Sequence, residues 1–249
     1  MSLISQKLQA MHSSIAAAAN AVSRQSDSVA LLAVSKTFDA DAVLEAVAAG
    51  QRAFGENYLQ EALDKIAAVR ASLSADILLE WHFIGPIQSN KTRPIAEHFD
   101  WVHTVDREKV AQRLSQQRPP QLPPLNVCLQ VNISGEASKS GVAPADVLDL
   151  ARAIIDLPQL TLRGLMAIPE PTDDVQKQRA TFRQVAELLA QLQTQLGADG
   201  RQLDTLSMGM SADMAAAIAE GATIVRIGSA IFGQRPQATK EAVHHAKQT

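Results

Sequence analysis

Several things are scarce in this sequence, and each scarcity excludes something. There is one cysteine, Cys128, inside LNVCLQV. No intrachain disulfide can form, which suits a reducing cytoplasm, and the apolar neighbours make the thiol a small core group. No apolar run approaches the ~20 residues that a bilayer-crossing helix needs. The N-terminal stretch MSLISQKLQAMHSSIAAAANAVSRQ lacks the basic leader and continuous apolar core of a signal peptide and reads as a helix. Charge of one sign is also scarce. Lys and Arg number 23 against 26 Asp and Glu, a formal net charge of -3. That balance gives no electrostatic reason to expect nucleic acid or an anionic membrane as a partner. Metal-ligand spacing is missing too. His244 and His245 lie in the tail, and neither His98 nor His103 has a Cys or Glu four residues on, so no metal is expected.

What is present is a chain of 249 residues, 46% hydrophobic and 20% charged, the balance of a soluble globular protein with a substantial core. Eight short strand-like runs alternate with helical patterns: SVALLAVSK, RAFGEN, LLEWHFIG, WVHTVD, LNVCLQVNI, LRGLMAIP, TLSMGMS and TIVRIGSAIFG. Strict βα alternation implies a parallel sheet with right-handed crossovers. Runs apolar on both faces, such as LLAV and NVCLQV, fit strands covered on both sides. Eight units in this length predict an α/β fold, a closed (β/α)8 TIM barrel preceded by an additional N-terminal helix. An open doubly wound sheet is the alternative, but no G-x-G-x-x-G follows the first strand. The Pro-rich SQQRPPQLPP is too short for a linker, so residues 1–249 read as a single domain. Gly50, Gly197 and Gly221 fall just past helical runs, a long helix is expected from about Val175 to Leu196, and Asp39 and Ser211 are candidate helix caps.

In such a barrel the C-terminal strand ends form the active face. Here those ends are polar and glycine-rich. The first ends on Ser35-Lys36, the second on Gly55-Glu56-Asn57, the fifth on Asn132 and the seventh on Ser207 to Ser211. The third carries His82, the sixth Met166 and the eighth Arg226, before Gly228-Ser229. A lysine at a strand mouth among apolar neighbours loses solvation. Its pKa then falls, and the neutral amine condenses with aldehydes. The plain alternative is that Lys36 snorkels to the rim. Phosphates in βα barrels bind after strands seven and eight, where Ser211, Gly228 and Ser229 offer amides and hydroxyls. The plain alternative is two ordinary N-cap serines. Arg226 lies in an apolar strand and needs a partner, either a ligand at the mouth or an outward ion pair. A Schiff-base lysine opposite a phosphate cup describes an aldehyde bearing a phosphate. Pyridoxal 5'-phosphate (PLP) fits, with Arg226 at the ring nitrogen, where an arginine weakens the ring as an electron sink.

The stretches LLAVSKT, FGENYLQEA, WHFIGPIQSNK, NISGEASKSG, GLMAIP and LSMGMSADMAAAIAEGATIVRIGSAIFG resemble the YggS/PROSC family of PLP homeostasis proteins, whose fold is similar to the barrel domain of bacterial alanine racemase. The matching stretches run from Leu31 to Gly233. The resemblance implies that Lys36 carries PLP, that Ser211, Gly228 and Ser229 contact its phosphate, and that Arg226 meets the ring nitrogen. Asn57, His82 and Met166 match positions lining the pocket. Small departures are Ser229 for the commoner threonine, Ala222 for serine, and Pro86-Ile87 for a commoner pair. Lys139 also matches a familiar position, as a second amine over the pocket or as a solvated loop residue.

Three functions remain open at this point. A cofactor carrier or buffer would hold PLP in the cytoplasm, with apo PLP enzymes as transient partners. A PLP-dependent amino-acid racemase needs an acid/base group on each face of its substrate. In alanine racemase a tyrosine from a further domain supplies one of them. No such domain is expected after the eighth strand here, which also points to a monomer. The chain's one tyrosine, Tyr58, begins an amphipathic helix and is expected to pack. A Schiff-base aldolase acting on a sugar phosphate would need a carboxylate or tyrosine near the amine, and Glu56 is the nearby candidate. The carrier is the preferred reading.

Overall fold

A computed structural model describes residues 2–135 and 140–233; Lys139, His244 and His245 lie outside the described residues. The eight strands are β1 (Ala30–Val34), β2 (Ala53–Glu56), β3 (Glu80–Phe83), β4 (Trp101–Val105), β5 (Leu125–Val131), β6 (Leu160–Ala167), β7 (Thr205–Ser207) and β8 (Ile224–Ile227). They close in chain order into a parallel barrel. The seam joins β8 to β1, with Leu32 level with Arg226 and Ala33 level with Ile227. The expected (β/α)8 barrel is therefore the observed one.

The helices are α1 (Leu3–Asn20), α2 (Ala40–Ala48), α3 (Leu59–Ser72), α4 (Thr92–His98), α5 (Glu108–Gln117), α6 (Val147–Ile155), α7 (Val175–Leu196), α8 (Met214–Ala219) and α9 (Ser229–Phe232). The last, after β8, is a single turn and covers little of the sheet. The N-terminal helix α1 covers the remainder, packing on α2, α8 and α9 with Leu8, Ile15 and Ala19 buried. Between barrel and helices lies an apolar shell in which Phe54 meets Trp81 at 5.5 Å and Phe83 meets Phe99 at 5.3 Å between ring centroids.

Local chemistry sets the boundaries. The Asp39 carboxylate accepts the Ala42 N–H at 2.9 Å and starts α2. Asp174 accepts from Gln176 and Lys177 and starts the 22-residue α7 where the sequence placed it. Ser211 is not a helix cap. A turn intervenes, α8 starts at Met214, and the carboxylate at its cap position, Asp213, accepts the Met210 N–H at 2.6 Å. Ser211 is left in the turn, open to the barrel mouth.

One glycine is required by the sheet. Gly164 in β6 has φ +153°, and a Cβ there would lie 2.0 Å from the Thr205 carbonyl oxygen of β7. We predict that Gly164→Ala costs roughly 2–3 kcal/mol through strain and forced strand separation. Calorimetry should show a Tm lower by about 5–10 °C; an unchanged Tm would mean that β6 and β7 part without penalty.

Candidate functional site

Strand pleating sorts the residues at the end of β1. Alternate side chains point to opposite faces. Val34 and Lys36 line a cavity of about 510 Å³ at the barrel mouth, while Ser35 is buried on the other side of the strand against Glu56. The adjoining wall comes from Arg226, Gly228 and Ser229 of the β8 end and from Met210 and Ser211 after β7. Asn57, Phe38, Ile84, Ile168 and Gly233 complete the lining. The charged side chains on this wall are Lys36 and Arg226; among the described residues no aspartate or glutamate lines it.

Two glycines shape the walls. A Cβ on Gly228 would stand 3.1 Å from the Val34 carbonyl oxygen, so backbone closes the cavity between β8 and β1. A Cβ on Gly85 would stand 2.1 Å from the Asn57 carbonyl oxygen; its absence lets the loop after β2 lie against the loop after β3. The Asn57 Oδ1 atom is buried and has no hydrogen-bond partner among the described residues.

Arg226 faces inward, not to a surface ion pair. One terminal nitrogen donates to the Ser207 carbonyl oxygen at 2.5 Å and to Ser207 Oγ at 2.8 Å, and the other donates to the Ala167 carbonyl oxygen at 2.9 Å. Burial lowers its pKa to about 10, which leaves it a cation at neutral pH. Three of its five N–H groups are used, leaving two for the cavity it lines.

Six of the eight residues proposed from the sequence thus meet at one cavity: Lys36, Asn57, Ser211, Arg226, Gly228 and Ser229. His82 and Met166 do not line it. They lie inside the barrel, His82 stacked on Trp101 at 5.3 Å and Met166 packed with Trp101 and Cys128. Cys128 is buried as expected, and its thiol is pushed up to about 12 by that burial. Tyr58 does not pack away: it is half exposed at the start of α3 and outside the cavity lining. A second cavity of about 510 Å³, beside Ser134, Glu170 and Lys177, has no buried residue in its lining and offers no comparable convergence.

Behind Lys36 lies a cluster that sequence reasoning missed. Lys65 of α3 is buried and donates to Glu56 Oε1 at 2.6 Å, to the Ser35 carbonyl oxygen at 2.7 Å and to Glu61 Oε1 at 3.0 Å. Ser35 Oγ donates to Glu56 Oε1 at 2.6 Å, and Glu61 Oε1 accepts the Thr37 N–H at 2.6 Å. The peptide groups on both sides of Lys36 are therefore held. Thr37 has φ +68°, a conformation that a β-branched residue keeps only when its surroundings enforce it. Glu56 is spent in this cluster and faces α3, so it does not serve as a carboxylate in the cavity. The signal was present in the sequence: Lys65 shares one helix face with Ala62, Ile66 and Val69, all buried.

Comparisons with known proteins place the chain in a family. Residues 7–236 match the family described as alanine racemase, N-terminal domain. The chain is 63% identical over 235 residues to the pyridoxal phosphate homeostasis protein of Pseudomonas aeruginosa, covering 94% of this chain and 97% of that one. It is 52% identical over 240 residues to the protein of the same name in Escherichia coli, covering 96% and 100%. Among solved structures, PipY of Synechococcus elongatus with PLP bound has a TM-score of 0.79 and 38% identity over 92% of this chain and 100% of that one. An alanine racemase from Clostridium difficile, 14% identical with a TM-score of 0.62 over 85% of this chain and 54% of that one, shares the fold. The chain belongs to the family of pyridoxal phosphate homeostasis proteins, within the wider alanine racemase N-terminal group.

Burial raises the pKa of Glu56 despite the opposing pull of Lys65. Lys65→Met removes that pull and raises it further. A carboxyl whose folded pKa exceeds its unfolded value costs stability as pH climbs from the unfolded toward the folded value, and the full cost stands above both. The variant's deficit should therefore be smaller at about pH 5 and reach roughly 3–5 kcal/mol at about pH 8. Urea denaturation at the two pH values measures it, and Glu56→Gln in the same background should recover part. A deficit independent of pH would contradict this account of the cluster.

Proposed function

We propose that this chain binds PLP, holds it as a Schiff base on Lys36, and keeps the cell's PLP in bound form without a robust reaction of its own. The observation that carries the reading is the cavity lining: one amine, one guanidinium and two serine hydroxyls converge, and among the described residues no carboxylate opposes them. Such a wall suits an anion that also carries an electrophile. When bound, PLP supplies an aldehyde and an electron-withdrawing pyridine ring. The aldehyde and the ring nitrogen sit on opposite sides of that ring. Arg226 is level with Leu32, deep in the barrel, whereas Lys36 stands at the rim. That separation along the barrel axis suits the nitrogen at the bottom and the aldehyde at the top. Ser211, Ser229 and the backbone at Gly228 would hold the phosphate, and the unpartnered Oδ1 of Asn57 would take a donor from the ligand or a water.

The guanidinium of Arg226 donates only, so it would hold the ring nitrogen as an acceptor and leave it unprotonated. Racemisation needs a second acid/base group, and among the described lining residues none is Asp, Glu, His or Tyr. This supports holding over racemisation. The names of the relatives and the PLP-bound PipY structure support the same cofactor. A cytoplasmic monomer meeting apo PLP enzymes transiently completes the proposal.

The protein incubated with PLP should absorb near the edge of the visible range, and Lys36→Ala should abolish that band. Borohydride reduction followed by mass spectrometry should place the cofactor on Lys36, and L-alanine should keep its optical purity in the presence of the loaded protein. A reduced adduct on another lysine with Lys36 unmodified would overturn the assignment.

A further inference from the structure

The barrel interior holds a row of polar groups that the cavity does not use. Ser207 Oγ and His103 Nδ1 are 2.7 Å apart, His103 Nε2 and His82 Nδ1 are 2.9 Å apart, and His82 Nε2 faces Glu80 Oε2 at 3.5 Å. With the Arg226 contact to Ser207 Oγ at 2.8 Å, the row runs from the cavity to Glu80, which is exposed at the opposite end of the barrel.

The direction of donation along this row follows from its two ends. An arginine cannot accept, so Ser207 Oγ accepts from Arg226; the opposite tautomers would set a bare His82 Nε2 against the acceptor-only Glu80 carboxylate, so the Ser207 proton goes to His103 Nδ1. Burial first, with His82 and Arg226 adding to it, holds His103 well below the usual imidazole range, so the ring is neutral. A neutral ring that accepts at Nδ1 carries its proton on Nε2 and donates it to His82 Nδ1. Burial lowers the pKa of His82 as well, and by the same rule its proton sits on Nε2. There it points at Glu80, whose carboxylate accepts only; 3.5 Å is too long for a full hydrogen bond and leaves an electrostatic contact. Every donor thus points away from the cavity and toward the carboxylate. Trp101, Cys128 and Met166 wall the row with apolar surface, and Arg163 lies 4.8 Å from the Trp101 ring centroid. Water is not needed to complete any link between Arg226 and His82.

We propose that His103 is a positioning residue: through Ser207 it locks the rotation of the Arg226 guanidinium, so that the remaining N–H groups are fixed as donors to the ring nitrogen of PLP. The proposal rests on the PLP reading given above. In it, Ser207 has its hydroxyl rotor fixed by two neighbours and can offer Arg226 nothing but a lone pair. His82 and Glu80 extend the polarisation to the far end of the barrel. A barrel filled with apolar side chains at these positions would still close, but the guanidinium would be held by backbone carbonyls alone and free to retilt.

Two measurements test this on the full chain. Long-range proton–nitrogen spectra of the histidine rings, taken before PLP is added at about pH 7, should show His82 and His103 both neutral with the proton on Nε2; a proton on Nδ1, or an imidazolium, at either ring overturns the chain of donors. His103→Leu interrupts the row, whereas His103→Gln retains both an acceptor and a donor. The leucine variant should bind PLP about tenfold more weakly, the loss of one charge-assisted hydrogen bond, and shift the absorbance maximum of the bound cofactor; the glutamine variant should restore both. A folded His103→Leu protein with unchanged affinity and band position overturns the proposal, and if that variant fails to fold the ring spectra decide. Failure of the unsubstituted chain to take up PLP would instead refute the cofactor reading, and with it the role of the row, while the tautomer result would stand.

Discussion

The site depends on closure of the sheet between β8 and β1. Until those strands pair, Arg226 and Lys36 are separated by almost 200 residues of chain; once they pair, Leu32 stands level with Arg226 and both strands deliver their ends to the same mouth. The approach is tight: a Cβ on Gly228 would press on the Val34 carbonyl oxygen at 3.1 Å. Closure therefore fixes the depth of the cavity as well as its membership, with a cation at the bottom and an amine at the rim. A parallel barrel pays loop-closure entropy at every crossover, and the short helix after β8 leaves the seam thinly covered. The N-terminal helix, packed on α2, α8 and α9, is what seals it.

Two buried charge systems are built around that seam, on opposite faces of the sheet. Inside the barrel, Arg226 donates to carbonyl and hydroxyl oxygens and, among the described residues, to no carboxylate. Outside it, Lys65 and Glu56 pair behind Lys36. Neither arrangement is an economical way to gain stability, because desolvation consumes most of what pairing returns. Each is a good way to fix direction. The outer cluster holds the carbonyl before Lys36 and the amide after it, and the inner row sets where the guanidinium of Arg226 points. The two faces of the sheet thus constrain the two ends of one cavity.

Much of the fold was legible because it rests on periodicity and punctuation. Strand and helix alternation gave the eight units, and Asp39, Gly50, Gly197 and Gly221 marked ends that the structure keeps. Residues at strand ends were legible as cavity residues for the same reason, since a residue that follows an apolar strand and points inward has to reach the mouth. Residues one layer down were not. His82 and Met166 sit on inward positions like Arg226, but their height along the barrel is set by the stagger between strands, which no single strand reveals. His103 was passed over because its partners, His82 and Ser207, come from β3 and β7, and Lys65 because a lone lysine on an apolar helix face has no meaning until Glu56 is opposite it. Ser211 was misread as a cap because Asp213, two residues on, takes the cap position.

The chemistry of the lining also bears on the proposal that this barrel holds a cofactor without a robust reaction of its own. Catalysis on a PLP carbanion draws on the electron demand of the ring, which is greatest when the ring nitrogen is protonated. A guanidinium works against that. It cannot accept the proton, its own pKa of about 10 lies far above that of a pyridine, and it remains a donor across the physiological range. Proton transfer to the substrate carbon would further require a group of tuned pKa within reach, and the titratable side chains among the described lining residues are Lys36 and Arg226. In the proposed complex the arginine serves as an anchor. Under the proposed reading one amine would be left both to bind and to transfer protons, so the contacts proposed to hold the cofactor are also the ones that would leave the cavity poorly equipped to react.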